Sequence, residues 1–293
     1  MPTPVWSNSR NSSLKMYNKR TKVALVYDFD GTLSPGNMQE YGFIQALGKS
    51  PEEFWGASNS ISQELEMNGI LAYMKIMIDE ARKAGISLKR DSFVQFGRNI
   101  ELYPGVREWF SLVNRYGAER GVTVEHYIIS SGMTELIEGS EIAHEFKKVF
   151  ASSFLYDDTG DAVWPAVAID FTNKTQFLFK ITKGIKDIAD NRRVNKQVPD
   201  EDKPVPFSNM IYVGDGDTDI PCMKIVKMFG GNAIAVYNTD AKKATAQQLL
   251  DQDRVNFIAP TDYTTSGKMF ALVCAIIDKV RAESDYNKLK SQD

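Results

Sequence analysis

Short apolar runs alternate with segments of helical periodicity along most of the chain, and this alternation narrows the possible folds. The clearest apolar run, at residues 22–27, leads directly into the acidic segment Asp28-Phe-Asp-Gly-Thr32. Runs of this kind, bounded by Gly or Pro, are typical of buried strands. Strands that alternate with helices along a chain form a mainly parallel sheet with helices on both faces. The pattern therefore predicts an α/β fold.

The predicted elements follow one another in a regular order. After the strand at 22–27, apolar residues at three- and four-residue spacing predict helices at 38–47, 61–84 and 92–102. Further helices are predicted at 104–120, 133–146, 174–190, 217–229, 241–250 and 267–283. Further strands are predicted at 122–129, 151–156, 162–171, 210–213, 233–236 and 255–258. The turn residues at 157–161 predict a hairpin, and the polar segment 191–208 predicts an exposed loop.

The order of these elements predicts two domains. The chain has 293 residues, and a typical domain has about 150. Residues 35–103 show no strand pattern, so we expect a small helical domain there. Residues 22–34 and 104–293 would together form the core domain. Residues 1–21 are rich in Ser and Asn and lack an apolar stretch, which predicts a disordered tail rather than a secretory signal.

Composition excludes several classes of protein. The chain has 35 basic and 38 acidic side chains, a net charge of −3, which argues against a nucleic-acid partner. No apolar segment is long enough to span a membrane, so no membrane partner is expected. The two cysteines, Cys222 and Cys274, are far apart in the sequence, which fits a reducing compartment and predicts a cytoplasmic protein. With only two histidines, a His-rich zinc site is excluded.

Two clusters of acidic residues follow predicted strands. Asp28 and Asp30 come directly after the first strand, and Asp215, Asp217 and Asp219 follow the strand at 210–213. Ligands of open parallel sheets bind beyond the carboxyl ends of strands, so we expect the two clusters to face one site. Carboxylates gathered in a cleft repel one another unless a cation compensates. Oxygen ligands alone favour Mg²⁺, which commonly completes its shell with substrate phosphate.

Aspartates at strand ends also serve purely structural roles in many proteins. A lone Asp-x-Asp pair is usually a turn or a helix cap, and we expect Asp217 to cap the helix that follows it. An EF-hand calcium loop starting at Asp215 would need Gly and Glu at its sixth and twelfth positions, where the chain has Ile220 and Val226. A calcium loop is therefore excluded.

Four segments, taken in order, resemble the motifs of the haloacid dehalogenase (HAD) superfamily of phosphatases. Asp28-Phe-Asp-Gly-Thr32 matches D-x-D-G-T, and Gly214-Asp-Gly-Asp-Thr-Asp219 matches G-D-G-x-x-D. His126-Tyr-Ile-Ile-Ser-Ser-Gly132 resembles the strand that ends in Ser or Thr before Gly, and a later lysine completes the set. The helical insert resembles that of the phosphoserine-phosphatase-like group, which implies a Rossmann-like core with a small helical cap. Those enzymes typically carry Ser at the position of Gly31, so the resemblance implies no particular substrate.

The resemblance also implies catalytic and metal-binding roles. Asp28 would be the nucleophile that forms an aspartyl phosphate. Asp30 would protonate the leaving alcohol and later accept a proton from the hydrolytic water. Mg²⁺ would be held by Asp28, the backbone carbonyl of Asp30 and Asp215, with Asp219 assisting directly or through water.

The phosphate group would be bound by the second and third motifs. Ser130, with the N–H groups of Ser131 and Gly132, would hold its oxygens. Two lysines are candidates for the third motif. Lys174 opens a predicted helix near the strand ends, whereas Lys183 lies near the C-terminus of that helix, where it would complement the helix dipole. We expect Lys174 to bind the phosphate.

Together these features predict a Mg²⁺-dependent phosphatase that hydrolyses a small phosphomonoester as a monomer or homodimer. A phosphotransferase or phosphomutase would use the same residues and pass the phosphoryl group to another hydroxyl. A phospholigand-binding protein on an inactive scaffold should lack Asp28, Asp30 or Asp215, and all three are present. A haloalkanoate dehalogenase would lack the second aspartate of the first motif, so Asp30 argues against that activity.

Overall fold

The computed structural model describes residues 20–290. The predicted disordered tail lies outside the described residues, except at its end, where Thr21 is already the first residue of a strand. The strands are β1 (Thr21–Tyr27), β2 (Val122–Met133), β3 (Lys148–Tyr156), β4 (Ala162–Val167), β5 (Met210–Gly214), β6 (Asn232–Tyr237) and β7 (Phe257–Pro260). They form a seven-stranded sheet in the order β4-β3-β2-β1-β5-β6-β7.

Helices connect these strands and form the insert between β1 and β2. They are α1 (Phe43–Ala46), α2 (Pro51–Glu64), α3 (Gly69–Ala84), α4 (Arg90–Gly97), α5 (Val106–Glu119), α6 (Thr134–Gly139), α7 (Thr175–Thr182), α8 (Asn191–Asn195), α9 (Ile220–Met228), α10 (Asp240–Asp251) and α11 (Lys268–Lys290). Over residues 20–290, none of them combines the length and the apolar character that a membrane span requires.

The sheet is parallel except at one edge. β1 lies at its centre and pairs in parallel with β2 and β5. β4 alone runs antiparallel to its neighbour, as the second strand of the predicted hairpin after β3. Along β1, Val23 and Leu25 pack into one hydrophobic cluster, and Ala24 and Val26 pack into another on the opposite face. Both faces are therefore covered, and the predicted α/β fold is confirmed.

Helices supply further buried side chains to each of the two hydrophobic clusters. One face of the sheet packs against α5 and α11 through Trp109, Phe110 and Ile277. The other face packs against α7, α9 and α10, with Met223 and Leu249 among the buried side chains. This two-sided burial explains why β1 is almost entirely apolar, since a strand with no solvent-facing side needs no polar alternation.

The insert between β1 and α5 contains the helices α1–α4 and packs directly on the core. Glycines make the contact close, because a Cβ at Gly97 on α4 would lie 2.0 Å from the Leu136 carbonyl oxygen. A Cβ at Gly139 would lie 1.9 Å from the Val94 carbonyl oxygen. Since α6 directly follows Ser130–Gly132 in the chain, this contact seats the insert beside the predicted phosphate-binding segment.

Several predicted helices were wrong in extent, because apolar periodicity does not register the residues that end helices. The helix predicted at 61–84 is interrupted after Glu64, and Asn68 begins a new helix by accepting a hydrogen bond from Ile70 N–H at 2.9 Å. The helix predicted at 133–146 ends at Gly139. The helix predicted at 174–190 ends at Thr182, just before Gly184 adopts a φ of +66°.

Candidate active site

The two acidic loops meet because β1 and β5 are neighbours in the sheet. The backbone N–H of Asp28, just after β1, donates to the Val213 carbonyl on β5 at 2.9 Å. β5 ends at Gly214, so Asp215 leaves the same edge of the sheet beside Asp28. The structure thus brings together the two acidic clusters that were predicted at strand ends.

Three carboxylates form the centre of the site. Asp28, Asp215 and Asp219 each offer an oxygen, and these oxygens lie within 4.8 Å of one another. The pKa of Asp28 is raised to about 7, first by burial and then by the charge of Asp219, while Lys174 opposes the shift. A bound cation relieves such repulsion. Since the donors are all carboxylate oxygens, the group suits a hard divalent cation of the Mg²⁺ type better than zinc.

Asp30 lies beside this group, and its side chain is not one of the three that converge. The backbone N–H of Met38 donates to Asp30 Oδ1 at 3.0 Å and orients the carboxyl. Burial, followed by the charge of Asp28, raises the pKa of Asp30 well above its ordinary value. A carboxyl in this environment keeps its proton to higher pH than a free aspartate and can donate it to a leaving group.

Lys174 is fully buried among the carboxylates. Its Nζ lies 2.8 Å from Asp219 Oδ1 and 3.2 Å from Asp28 Oδ1. Burial alone would lower the pKa of Lys174, but the charges of Asp219 and Asp28 outweigh burial and raise it. The other candidate, Lys183, donates instead to two backbone carbonyl oxygens near the end of α8. The structure therefore brings Lys174 to the carboxylates and leaves Lys183 outside the site.

A tight turn positions Lys174. Residues Phe171–Lys174 form one turn of 3₁₀ helix ahead of α7. Asp170 N–H donates to Asn173 Oδ1 at 3.0 Å, and this bond caps the start of the turn. The strand predicted at 162–171 therefore ends at Val167, because the following residues are needed for the turn.

Asp219 holds the lysine in place. Its Oδ1 accepts hydrogen bonds from Lys174 Nζ at 2.8 Å and from the Tyr212 hydroxyl at 2.7 Å. Its Oδ2 accepts from Gly216 N–H at 3.3 Å. Both oxygens thus have protein partners. No sequence signal could have identified Tyr212, because a tyrosine inside an apolar strand is indistinguishable from an ordinary core residue.

The segment Ser130-Ser131-Gly132 lines the same cavity as the carboxylates, and the cavity has a volume of about 340 Å³. The pairing of β2 with β3 shifts register between Ser130 and Met133, as at a β-bulge that re-aims side chains. Gly132 N–H donates to Ser130 Oγ at 3.0 Å, so this N–H is already engaged, contrary to our expectation. Ser131 Oγ is buried and has no hydrogen-bond partner among residues 20–290.

Tyr73 connects the helical insert to this segment. It lies on α3 and is 5% exposed, and its hydroxyl donates to the Ser131 carbonyl at 2.7 Å. Ser152 Oγ donates to the same carbonyl at 3.2 Å and accepts from Ile169 N–H at 3.0 Å. The insert therefore contacts the backbone of the predicted phosphate-binding segment. No sequence pattern identified Tyr73, since its partner lies 58 residues away in the chain.

Position 31 requires glycine for two reasons, its left-handed backbone conformation and the lack of space beside Asp215. Its φ is +70°, and a Cβ there would lie 2.3 Å from Asp215 Oδ2. Gly48 has the same φ of +70°, but a Cβ there would have no heavy atom within 4 Å, so replacement of Gly48 is a matched control for replacement of Gly31.

We expect Gly48→Ala to cost about 1–2 kcal/mol of unfolding free energy, from the left-handed backbone alone. Gly31→Ala should cost more and also lose activity, because Asp215 must move. Urea denaturation and phosphate release on both variants test this, and equal behaviour of the two variants would contradict it.

The structure also defines the surroundings of Asp217 and His126. Asp217 is exposed and begins a 3₁₀ turn, while Asp219 occupies the position before α9, so the prediction of Asp217 as the helix cap was wrong.

His126 is buried, and its ring nitrogens contact the Tyr27 hydroxyl at 3.0 Å and Asn114 Oδ1 at 3.1 Å. Burial lowers the pKa of His126 to about 3, as suits a neutral structural histidine.

The sequence of this chain is similar to those of known proteins. The family model of haloacid dehalogenase-like hydrolases matches residues 25–224. An uncharacterized protein of Borreliella burgdorferi is 28% identical over an alignment of 282 positions, and the alignment covers 87% of this chain and 96% of that protein.

Solved structures are similar in fold at low identity. A probable phosphoserine phosphatase from Vibrio cholerae has a TM-score of 0.53 and 12% identity, covering 90% of this chain and 67% of that one. A HAD family hydrolase from Salmonella enterica serovar Typhi has a TM-score of 0.51 and 17% identity, covering 75% of this chain. The match spans only 64% of the Salmonella chain. Because the family model covers more than half of the sequence, the chain belongs to the haloacid dehalogenase-like hydrolase family.

Proposed function

We propose that this protein is a Mg²⁺-dependent phosphatase that hydrolyses small phosphomonoesters through an aspartyl phosphate on Asp28. The position of Lys174 supports this most strongly, since its Nζ lies 3.2 Å from Asp28 Oδ1 beside a cavity of about 340 Å³. A buried cation at this distance allows an anionic carboxylate to approach an anionic phosphate group. The cavity volume suits a small phosphorylated molecule.

Asp28 and Asp30 divide the chemistry between them. Asp28 Oδ1 is buried and, apart from its ion pair with Lys174 at 3.2 Å, has no polar partner among the described residues, so one of its lone pairs can attack phosphorus. As the bond from Asp28 to phosphorus forms, the bond from phosphorus to the ester oxygen breaks, and Asp30 gives its proton to that oxygen. In the second half of the reaction, Asp30 takes a proton from water as the water oxygen attacks phosphorus. The bond between phosphorus and Asp28 then breaks, which frees Asp28 and releases phosphate.

The phosphate oxygens would be held by the segment that follows β2. Ser130 and Ser131 both offer hydroxyl groups that can donate, since Ser130 Oγ accepts a hydrogen bond and Ser131 Oγ has no partner among the described residues. Gly132 leaves room for Met38 and Asp30, since a Cβ at Gly132 would lie 2.2 Å from Met38 Cε and 3.1 Å from Asp30 Oδ2. Lys174 would neutralise the charge of the phosphate from the buried side. Tyr73 would keep the segment in place through the Ser131 carbonyl.

Mg²⁺ would be held by Asp28, the backbone carbonyl of Asp30 and Asp215. Asp219 would assist through a water molecule rather than directly, because its oxygens already accept hydrogen bonds from Lys174, Tyr212 and Gly216. When bound, the ion would stabilise negative charge on the transferring phosphoryl group.

Removal of divalent cations tests the metal assignment. We expect phosphate release from p-nitrophenyl phosphate to fall to background in EDTA and to return on addition of MgCl₂. Thermal denaturation gives a second readout, since Mg²⁺ at 100 times its Kd stabilises the folded protein by about 2.7 kcal/mol. Asp215→Asn should lose this stabilisation, whereas Asp217→Asn, at the exposed neighbouring acid, should keep it. Full activity of wild type in EDTA would exclude the metal.

A further inference from the structure

Lys242 belongs to the cavity, although no sequence motif points to it. It lies in the first turn of α10, where Thr239 Oγ1 accepts a hydrogen bond from its backbone N–H at 3.2 Å. Its ammonium group forms an ion pair with the carboxylate of Asp215. The Lys242 side chain remains 48% exposed, whereas that of Asp215 is 9% exposed. The ammonium group therefore lies at the mouth of the cavity, between the buried carboxylates and solvent.

The phosphate-binding end of the cavity does not need this charge. Lys174, which is fully buried and does not itself line the cavity, already places a positive charge beside Asp28 at that end. A divalent cation on Asp215 would also displace the ammonium of Lys242, because two cations at one carboxylate repel each other. Among the lining residues that the structure describes, Lys242 carries the one basic side chain. Its long and partly exposed stem has the freedom to turn toward a ligand at the mouth.

We propose that Lys242 binds a second anionic group on the substrate and thereby selects the substrate class. This rests on the proposed phosphatase function and adds that the alcohol being released carries its own negative charge, as a carboxylate or a second phosphate does. Asp28 and Asp215 offer oxygens within 4.8 Å of each other, and Lys242 contacts Asp215. The second anionic group therefore lies only a few bonds from the phosphorus, as in a small phosphorylated acid.

Two ligands of similar size test the proposal. 3-Phosphoglycerate carries a carboxylate, and glycerol 3-phosphate has a hydroxymethyl group in its place. Their inhibition constants are measured against hydrolysis of p-nitrophenyl phosphate, with Mg²⁺ present. The variants are Lys242→Met, Lys242→Arg and, as matched control, Lys243→Met. Lys243 is the next residue on α10, but its Nζ lies 5.9 Å from the centre of the Tyr237 ring, and it does not line the cavity.

We expect the wild type to bind 3-phosphoglycerate about tenfold more tightly than glycerol 3-phosphate, the size of effect that one charge-assisted contact produces. Lys242→Met should abolish this preference, while Lys242→Arg and Lys243→Met should keep it. Equal weakening of both ligands by Lys242→Met would overturn the proposal, because Lys242 would then act on the phosphate. A wild type without the preference would overturn it as well.

Failure of the proposed function would be recognised separately. If the wild type does not hydrolyse p-nitrophenyl phosphate, the phosphatase assignment fails, and calorimetric titration of the same two compounds onto the Mg²⁺-loaded protein replaces the inhibition assay. Under the proposal, wild type still binds the carboxylate compound more tightly, and Lys242→Met removes the difference. Equal binding of the two compounds by wild type in that titration would overturn the proposal itself.

Discussion

Replacement of Asp28 by Asn is expected to abolish phosphate release and to leave the protein folded. The amide keeps the shape of the carboxylate but is not a nucleophile, so kcat should fall on the order of 10³-fold or more. Folding should not suffer, because burial and the charge of Asp219 raise the pKa of Asp28 to about 7 and disfavour its charged form. Steady-state kinetics and urea denaturation in EDTA measure the two effects.

The matched control for this variant is Asp217→Asn. Asp217 lies in the same acidic motif as Asp215 and Asp219 but is exposed, so its variant should retain activity. Hydrolysis by Asp28→Asn at a rate near that of wild type would contradict the covalent mechanism. Binding of inorganic phosphate by the inactive variant, followed calorimetrically, distinguishes a lost nucleophile from a collapsed site.

Replacement of Lys174 by Met should remove both activity and much of the stability. Lys174 is fully buried, and its Nζ lies 2.8 Å from Asp219 Oδ1, whose side chain is also fully buried. Removal of one partner from a buried ion pair leaves an uncompensated charge and costs about 3–5 kcal/mol. We therefore expect a drop of this size in the free energy of unfolding, measured by urea denaturation, together with the loss of phosphate release.

Two companion variants make this prediction specific. Lys183→Met removes only hydrogen bonds to backbone carbonyls outside the site, so it should keep activity and cost about 1 kcal/mol. Lys174→Met combined with Asp219→Asn removes both buried charges and should recover stability without recovering activity. If Lys183→Met were inactive and Lys174→Met active, the choice between the two lysines would be reversed.

Part of the candidate site was predictable from local sequence. Asp28 and Asp215 each follow an apolar strand, and parallel strands place their carboxyl ends at one edge of the sheet. Convergence of the two loops then required only that β1 and β5 be neighbours. The α/β fold and the HAD family were predicted for related reasons, since both depend on strand and helix patterns and on short motifs, and both are confirmed.

Residues that depend on distant contacts were not predictable in this way. Lys174, rather than Lys183, lies among the carboxylates, and it directly precedes α7, close to the predicted helix start. A 3₁₀ turn presents Lys174 to the carboxylates, and Lys174 meets Asp219 across 45 residues of chain. Tyr73 and Lys242 carry no motif at all, because their importance arises only from the partners that folding brings to them.

The sequence alone determined the order and type of most elements, because apolar periodicity, turn residues and short motifs are properties of consecutive residues. The short helix α8 is an exception, since it lies in the segment 191–208 that was predicted as a loop. The tertiary structure decided which side chains complete the site. Tyr212 and Lys174 share one carboxylate, Tyr73 holds the Ser131 backbone from another part of the chain, and Lys242 reaches Asp215 at the mouth of the cavity. These contacts join separate helices and strands, so their geometry exists only after the sheet, its covering helices and the insert have packed together.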